Sequence, residues 1–143
     1  MEQSSIAAIE LEMALLVRQL VSMTTYKKNG SLDRAAYLLL HHILASPACS
    51  VKSIADEFHL DISTVSRQVA SLEQRGYISR MPDQSDGRSY TLAITEPGAE
   101  VLKENQEARQ EGVRQLLKDW EEAERQAFGE LLRKFNTACL EQS

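Results

Sequence analysis

The sequence predicts a mainly α-helical fold that carries one small β-hairpin, and three observations predict it. Apolar residues recur at helical spacing over most of the chain. The pattern changes to short alternating strands only over residues 77–95. Two short helical segments joined by a tight turn stand directly before that change. The order is helix, helix, short helix pair, hairpin, helix, helix.

The first helix, over residues 5–27, shows Ile6, Ile9, Met13, Leu16, Leu20 and Met23, spaced 3, 4, 3, 4 and 3 apart. That is one apolar seam, and such a seam needs a partner surface. Asn29-Gly30 ends this helix and Ser31 starts the next. Residues 32–45 are apolar almost all round, through Ala35, Ala36, Leu38, Leu39, Leu40, Ile43 and Leu44. A central, buried helix is expected there, stopped by Pro47. Ser50 caps the third helix, whose inner face is Val51, Ile54, Ala55 and Phe58. Asp61 caps the fourth, whose inner face is Val65, Val69 and Leu72, and Gly76 ends it.

Tyr77–Met81 and Tyr90–Ile94 read as strands. Between them Pro82-Asp83-Gln84-Ser85-Asp86-Gly87 is rich in turn formers, which gives a hairpin with a long polar tip. Thr95 caps a long helix opening on Glu96-Pro97, a favourable first turn. That helix shows Val101, Ala108, Val113, Leu116, Leu117 and Trp120. The last shows Ala127, Phe128, Leu131, Leu132, Phe135 and Cys139. Apolar seams at both ends of the chain predict packing against a second copy.

The 143 residues are enough for one domain with a sizeable core, and the 43% hydrophobic and 26% charged content is that of a soluble globular protein. No apolar run is long enough to span a bilayer, and the start MEQSSIAAIELEMALL reads as an acidic amphipathic helix rather than a signal peptide. A cytoplasmic protein with no membrane partner is expected. With only Cys49 and Cys139 present, free thiols in a reducing compartment are expected too.

A net charge of −5 argues against a nucleic-acid partner until its distribution is read. Residues 1–61 carry 5 basic and 7 acidic groups, residues 62–95 carry 4 and 3, and residues 96–143 carry 7 and 11. The middle alone has a basic balance, through Arg67, Arg75, Arg80 and Arg88.

The short helix pair has a helix-turn-helix pattern. Ala55 is small where the two helices cross closely, and Val65 packs back from the second helix. His59 holds the turn position that is usually glycine, and histidine tolerates a left-handed backbone better than most residues. At about 100° per residue, the surface opposite Val65, Val69 and Leu72 consists of Ser63, Thr64, Ser66, Arg67, Ala70, Ser71 and Gln74. Such a small, polar, donor-rich stripe suits a major groove. Ser and Thr can donate to phosphates or base edges, Arg67 can bond a guanine in two-pronged fashion, and the Ala70 methyl can meet a thymine methyl. The plainer reading is a solvated helix face, which more often carries Glu and Lys.

Other chemistries find little footing. There is no glycine-rich phosphate loop, and the many glutamates lie on solvated faces, so no enzyme and no cofactor are expected. His41 and His42 are adjacent and point to different sides of a helix, His59 is far off, and no Cys-x-x-Cys or His-x-x-x-His spacing exists; no metal site is expected.

The run Asp86-Gly87-Arg88-Ser89-Tyr90-Thr91-Leu92-Ala93-Ile94-Thr95-Glu96-Pro97-Gly98 resembles the signature wing of the multiple antibiotic resistance regulator (MarR) family: Asp-x-Arg, five residues, then Leu-Thr-x-x-Gly, with Ile94 in place of the usual leucine. Upstream, Leu72-Glu73-Gln74-Arg75-Gly76-Tyr77-Ile78-Ser79-Arg80 is similar to the family's Leu-Glu-x-x-Gly-x-Ile/Val-x-Arg. The motif portion covers residues 50–98. The resemblance implies a winged helix-turn-helix flanked by N- and C-terminal dimerisation helices. Its divisions are 1–30 for the first dimerisation helix, 31–98 for the DNA-binding unit and 99–143 for the last two helices. It implies a homodimeric, double-stranded-DNA-binding transcriptional regulator whose recognition helix, residues 62–75, enters the major groove.

The resemblance further implies that the wing arginine, Arg88, reaches a minor groove. A guanidinium on a narrow hairpin tip fits that groove and its negative potential. Asp86 can pin a nearby arginine such as Arg80 by a two-pronged bond and so stabilise the wing. A symmetric dimer predicts a short inverted-repeat operator. Repression, released by a small aromatic or anionic effector, is the mode the family implies. Met13, Arg18, Met23, Tyr26, Tyr37 and His41 could line such a cavity, or could simply pack. Two alternatives stand beside this reading. One is a winged-helix protein-interaction module without DNA binding. The other is a thiol-based redox regulator, although Cys49 and Cys139 lie far from the first helix, where some relatives carry a sensing cysteine, and have no evident neighbouring base.

Overall fold

The computed structural model describes residues 2–23, 32–83 and 89–142. The elements are α1 (Glu2–Met23), α2 (Arg34–Ala45), α3 (Val51–Phe58), α4 (Ile62–Gln74), β1 (Ile78–Pro82), β2 (Tyr90–Ile94), α5 (Glu96–Leu116) and α6 (Glu122–Gln142). β1 and β2 pair antiparallel in a two-stranded sheet, from Ile78 opposite Ile94 to Pro82 opposite Tyr90. The mainly α fold with one hairpin is as the sequence predicts.

One core holds the middle of the chain together. Leu39, Leu40 and Ile43 of α2 meet Ile54 and Ala55 of α3 and Val65, Val69 and Leu72 of α4. Ile78 and Leu92 of the hairpin and Val101 and Leu102 of α5 complete it. Each such large side chain taken from water contributes about 1.5–3 kcal/mol. The first two turns of α5 therefore pack with the helix-turn-helix and hairpin.

α2 differs from the expected all-round burial. Leu38 and Leu44 are 49% and 53% exposed. Ala36, Leu39, Leu40 and Ile43 lie on one face, and α4, β2 and α5 pack against α2 there, so the core reaches only that side. The helix also starts later than Ser31, which lies outside the described residues. Its N-cap is Asp33, whose Oδ1 accepts the Ala36 N–H at 2.8 Å. Leu32 is already engaged by α5: its N–H donates to Asn105 Oδ1 at 2.9 Å, and its carbonyl accepts from Arg109 at 3.2 Å. A helix begun at Ser31 would bond the Ala36 N–H to the Leu32 carbonyl, but that N–H goes to Asp33 and that carbonyl to Arg109.

α3 opens on a reciprocal cap. The Ser53 N–H donates to Ser50 Oγ at 3.1 Å and the Ser50 N–H donates to Ser53 Oγ at 2.8 Å. It closes on His59, which takes the left-handed conformation at φ 55° and ψ 44°, as the turn reading requires. Asp61 occupies the N-cap of α4 but makes no side-chain cap bond, contrary to expectation. The first turn is closed by backbone alone, with the Val65 N–H on the Asp61 carbonyl at 3.1 Å. Gly76 then ends the helix at φ +84°. Tyr77 falls outside β1 because both its backbone groups are committed elsewhere, its N–H to Leu72 and its carbonyl to Thr95, each at 3.0 Å.

The flanking helices lie open. Every described side chain of α1 is exposed, and α6 buries none. Among the described residues no helix is long and apolar enough to cross a membrane.

Candidate nucleic-acid interface

α4 presents two unlike faces because its sequence alternates them at helical period. Val65, Val69 and Leu72 are 0%, 0% and 1% exposed, which locks the helix against the core. Opposite them Ser63, Arg67, Ala70, Ser71 and Gln74 are exposed, while Thr64 and Ser66 are half-buried on the flanks. The structure thus brings the sequence-predicted Ser, Thr, Arg and Ala residues onto one outward stripe. Among the described residues Arg67 has no hydrogen-bond or ion-pair partner, so its guanidinium is available to a ligand.

The arginines that follow are held. Arg75 stacks its guanidinium 5.0 Å from the centre of the Tyr77 ring. Arg80 Nε donates to Glu73 Oε1 at 3.2 Å, joining the base of the hairpin to the last turn of α4. Asp86 and Arg88 lie outside the described residues, as does the hairpin tip they belong to. Toward that tip, the Asp83 N–H bonds the Ser89 carbonyl at 2.9 Å.

Two side chains that the sequence reading passed over tie α5 to this unit. Asn105 and Arg109 grip Leu32, and the Arg109 guanidinium lies 4.2 Å over the Tyr37 ring. Their signal was present in the spacing. From Gly98, the residues Leu102, Asn105 and Arg109 follow at 4, 3 and 4, one face of a helix, but a polar pair in an acidic stretch reads as solvated surface.

Of the side chains considered for a small-molecule cavity, Tyr37 lines an open cavity of about 490 Å³ with Arg109, Val113, Arg114, Leu117 and Arg125. The Arg125 Nε there is buried without a hydrogen-bond partner among the described residues. Met13 and Arg18 are exposed on α1, and His41 is exposed on α2. Met23 is the last described residue of α1, and Tyr26 lies outside the described residues.

Cys49 is buried, and its carbonyl accepts the Leu92 N–H of β2 at 2.9 Å. Burial pushes its thiol pKa up, the opposite of what a reactive thiolate needs. Cys139 is exposed on α6. His42 sits edge-on to Phe58, with ring centres 5.1 Å apart, and 3.9 Å from the Glu57 carboxylate.

Comparison with known proteins agrees with this architecture. The MarR family model matches residues 32–90. The HTH-type transcriptional regulator YxaD of Bacillus subtilis (strain 168) is 40% identical over 140 residues, covering 97% of this chain and 98% of the relative. A crystal structure of MarR superposes with a TM-score of 0.76 at 25% identity, covering 91% of each chain. The fold is shared also with FabT of Streptococcus pneumoniae, solved in complex with DNA, at a TM-score of 0.74 and 17% identity over 96% of this chain and 98% of that one. A free-standing polar recognition stripe, a hairpin wing and identity running the length of a helix-turn-helix regulator lead to one conclusion: the chain belongs to the MarR family of transcriptional regulators.

Proposed function

We propose that this regulator acts as a homodimer on an inverted-repeat operator, with α4 in the major groove and the wing in the adjoining minor groove. The observation that carries the proposal is the outward stripe of α4, uncharged except for Arg67, which has no partner among the described residues, on a helix whose opposite face is fixed in the core. Ser63, Thr64, Ser66 and Ser71 supply short donors, Arg67 reads a guanine and Ala70 packs on a thymine methyl. Arg88 enters the minor groove, while Asp86 and Arg80 shape the wing; the Arg80–Glu73 bond supports the latter role. FabT, with the same fold, was solved with DNA bound, which supports the docking mode.

The dimer is supported by the faces left open: Ile9, Leu16 and Leu20 of α1 and Phe128, Leu131 and Phe135 of α6 are all 40–62% exposed. Repression, relieved by a small aromatic or anionic molecule, is supported by the cavity that Tyr37, Arg109 and Arg125 line, where the Arg125 Nε is buried without a hydrogen-bond partner among the described residues.

A gel-shift titration with the duplex upstream of the protein's own gene tests the proposal. A discrete complex of two chains, resistant to excess competitor and weakening steeply with added salt, is expected. Absence of binding to any duplex, in that region or in a random library, overturns it.

A further inference from the structure

α5 grips the DNA-reading unit at two levels along one stripe. Gly98, Leu102, Asn105 and Arg109 follow at intervals of 4, 3 and 4 and so share about 60° of the helix circumference. At the first level α5 abuts the end of α4. Thr95 Oγ1 donates to the Gly76 carbonyl at 2.6 Å, the Thr95 N–H donates to the Tyr77 carbonyl at 3.0 Å, and Gly98 packs on that same carbonyl.

At the second level Asn105 and Arg109 hold both backbone groups of Leu32, the residue from which α2 departs. Each gripping side chain is itself aimed. Asn105 Nδ2 donates to the Val101 carbonyl at 2.7 Å, which turns its oxygen toward Leu32, and Arg109 is steadied over the Tyr37 ring. The two levels stand 7 to 11 residues apart, about 10–16 Å along the helix.

Val101 and Leu102 pack in the core between the two levels, and Asn105 and Arg109 are the last hold on α5 before its exposed half. Beyond Arg109, α5 runs into its exposed half and then to α6, the surfaces left open for a second copy. The grip on Leu32 therefore fixes the angle between reading unit and dimer arm. That angle has leverage. A recognition helix lies about 17 Å from the axis of a dimer spanning one turn of DNA, so a rotation of about 10° carries it about 3 Å, close to one base-pair step of 3.4 Å.

We propose that Asn105 and Arg109 are positioning residues that set the half-site spacing the dimer accepts. This rests on the dimeric DNA-binding reading above. The same half-sites are placed in duplexes at the preferred spacing, which is selected from a random library by the wild type, and at one base pair more or fewer. Wild type should lose about 10-fold or more in affinity at either altered spacing. The Asn105→Ala/Arg109→Ala variant should lose less than about 3-fold, with its affinity for an isolated half-site unchanged. Arg109→Lys, which keeps a cation able to donate to the Leu32 carbonyl and leaves both Asn105 bonds intact, should retain wild-type discrimination.

Equal discrimination by a double variant with wild-type circular dichroism and dimer mass overturns the proposal. Should the double variant not fold, the single variants Asn105→Ala and Arg109→Ala decide, because each breaks one of the two bonds to Leu32 and leaves the other. Broadened spacing in either supports the proposal and unchanged spacing in both overturns it. Failure of the wild type to select any duplex instead removes the DNA-binding reading, and this proposal with it.

Discussion

Gly98 rests directly on the carbonyl oxygen of Tyr77. A Cβ at Gly98 would collide with that oxygen and stand 2.9 Å from Cγ1 of Ile94. The oxygen cannot yield, because it is fixed by the Thr95 N–H at 3.0 Å. Gly98→Ala should therefore destabilise by about 1–3 kcal/mol, the usual cost of overpacking, despite alanine's better helix propensity. A thermal melt should show the midpoint lowered by several degrees.

The two short helices differ in how they begin, and their caps should respond differently. Ser50→Ala removes the acceptor for the Ser53 N–H and should cost about 1 kcal/mol in a denaturant titration. Asp61→Ala removes a side chain that makes no cap bond and should cost less than about 0.5 kcal/mol. Equal losses would contradict the assignment of the two caps.

Arg67 and Arg88 should separate by the kind of binding they lose. Arg67→Ala should cost about 1–3 kcal/mol at one guanine of the operator and nothing on duplexes already altered there. Arg88→Ala should weaken binding broadly across sequences. Fluorescence anisotropy against a panel of single-base operator variants distinguishes the two patterns. Unchanged affinity in Arg88→Ala contradicts the role given to the wing.

The two thiols should differ in the native state. Cys139 lies on the α6 face left open for a second copy and should react with a disulfide reagent faster as the protein is diluted from dimer to monomer, whereas Cys49 should react only as the chain unfolds. Burial raises the Cys49 pKa, so above the ordinary cysteine value of about 8.5 the unfolded chain releases a proton that the folded one retains. The unfolded state then binds fewer protons, and stability falls as pH rises through that value. Chemical denaturation at pH 7 and pH 9.5 should show the fall, and Cys49→Ala should lessen it.

Much of the fold and the interface was legible in the chain because local chemistry specified it. The face of α4 follows from helical period, with Val65, Val69 and Leu72 on one side and Ser63, Arg67 and Ala70 on the other. Ser50, His59, Gly76 and Thr95 marked helix ends by properties that act within four residues. One boundary misled: Ser31 is a good capping residue by type, yet Asp33 caps α2. Asp61 does stand at the N-cap of α4, but backbone alone closes the first turn there. The outer face of α2 misled too, because composition reports that Leu38 and Leu44 are apolar and carries no information on which neighbours arrive.

By itself, then, the sequence determined the element order, the reading stripe and the family, all of which rest on interactions short in sequence or on a motif. The tertiary structure alone decided what joins those pieces. Asn105 and Arg109 meet Leu32 across 73 and 77 residues, Arg80 chooses Glu73 as its partner, and the Cys49 carbonyl completes the edge of β2. Such contacts depend on where chain folding brings polar atoms together, and neither periodicity nor residue type encodes that meeting.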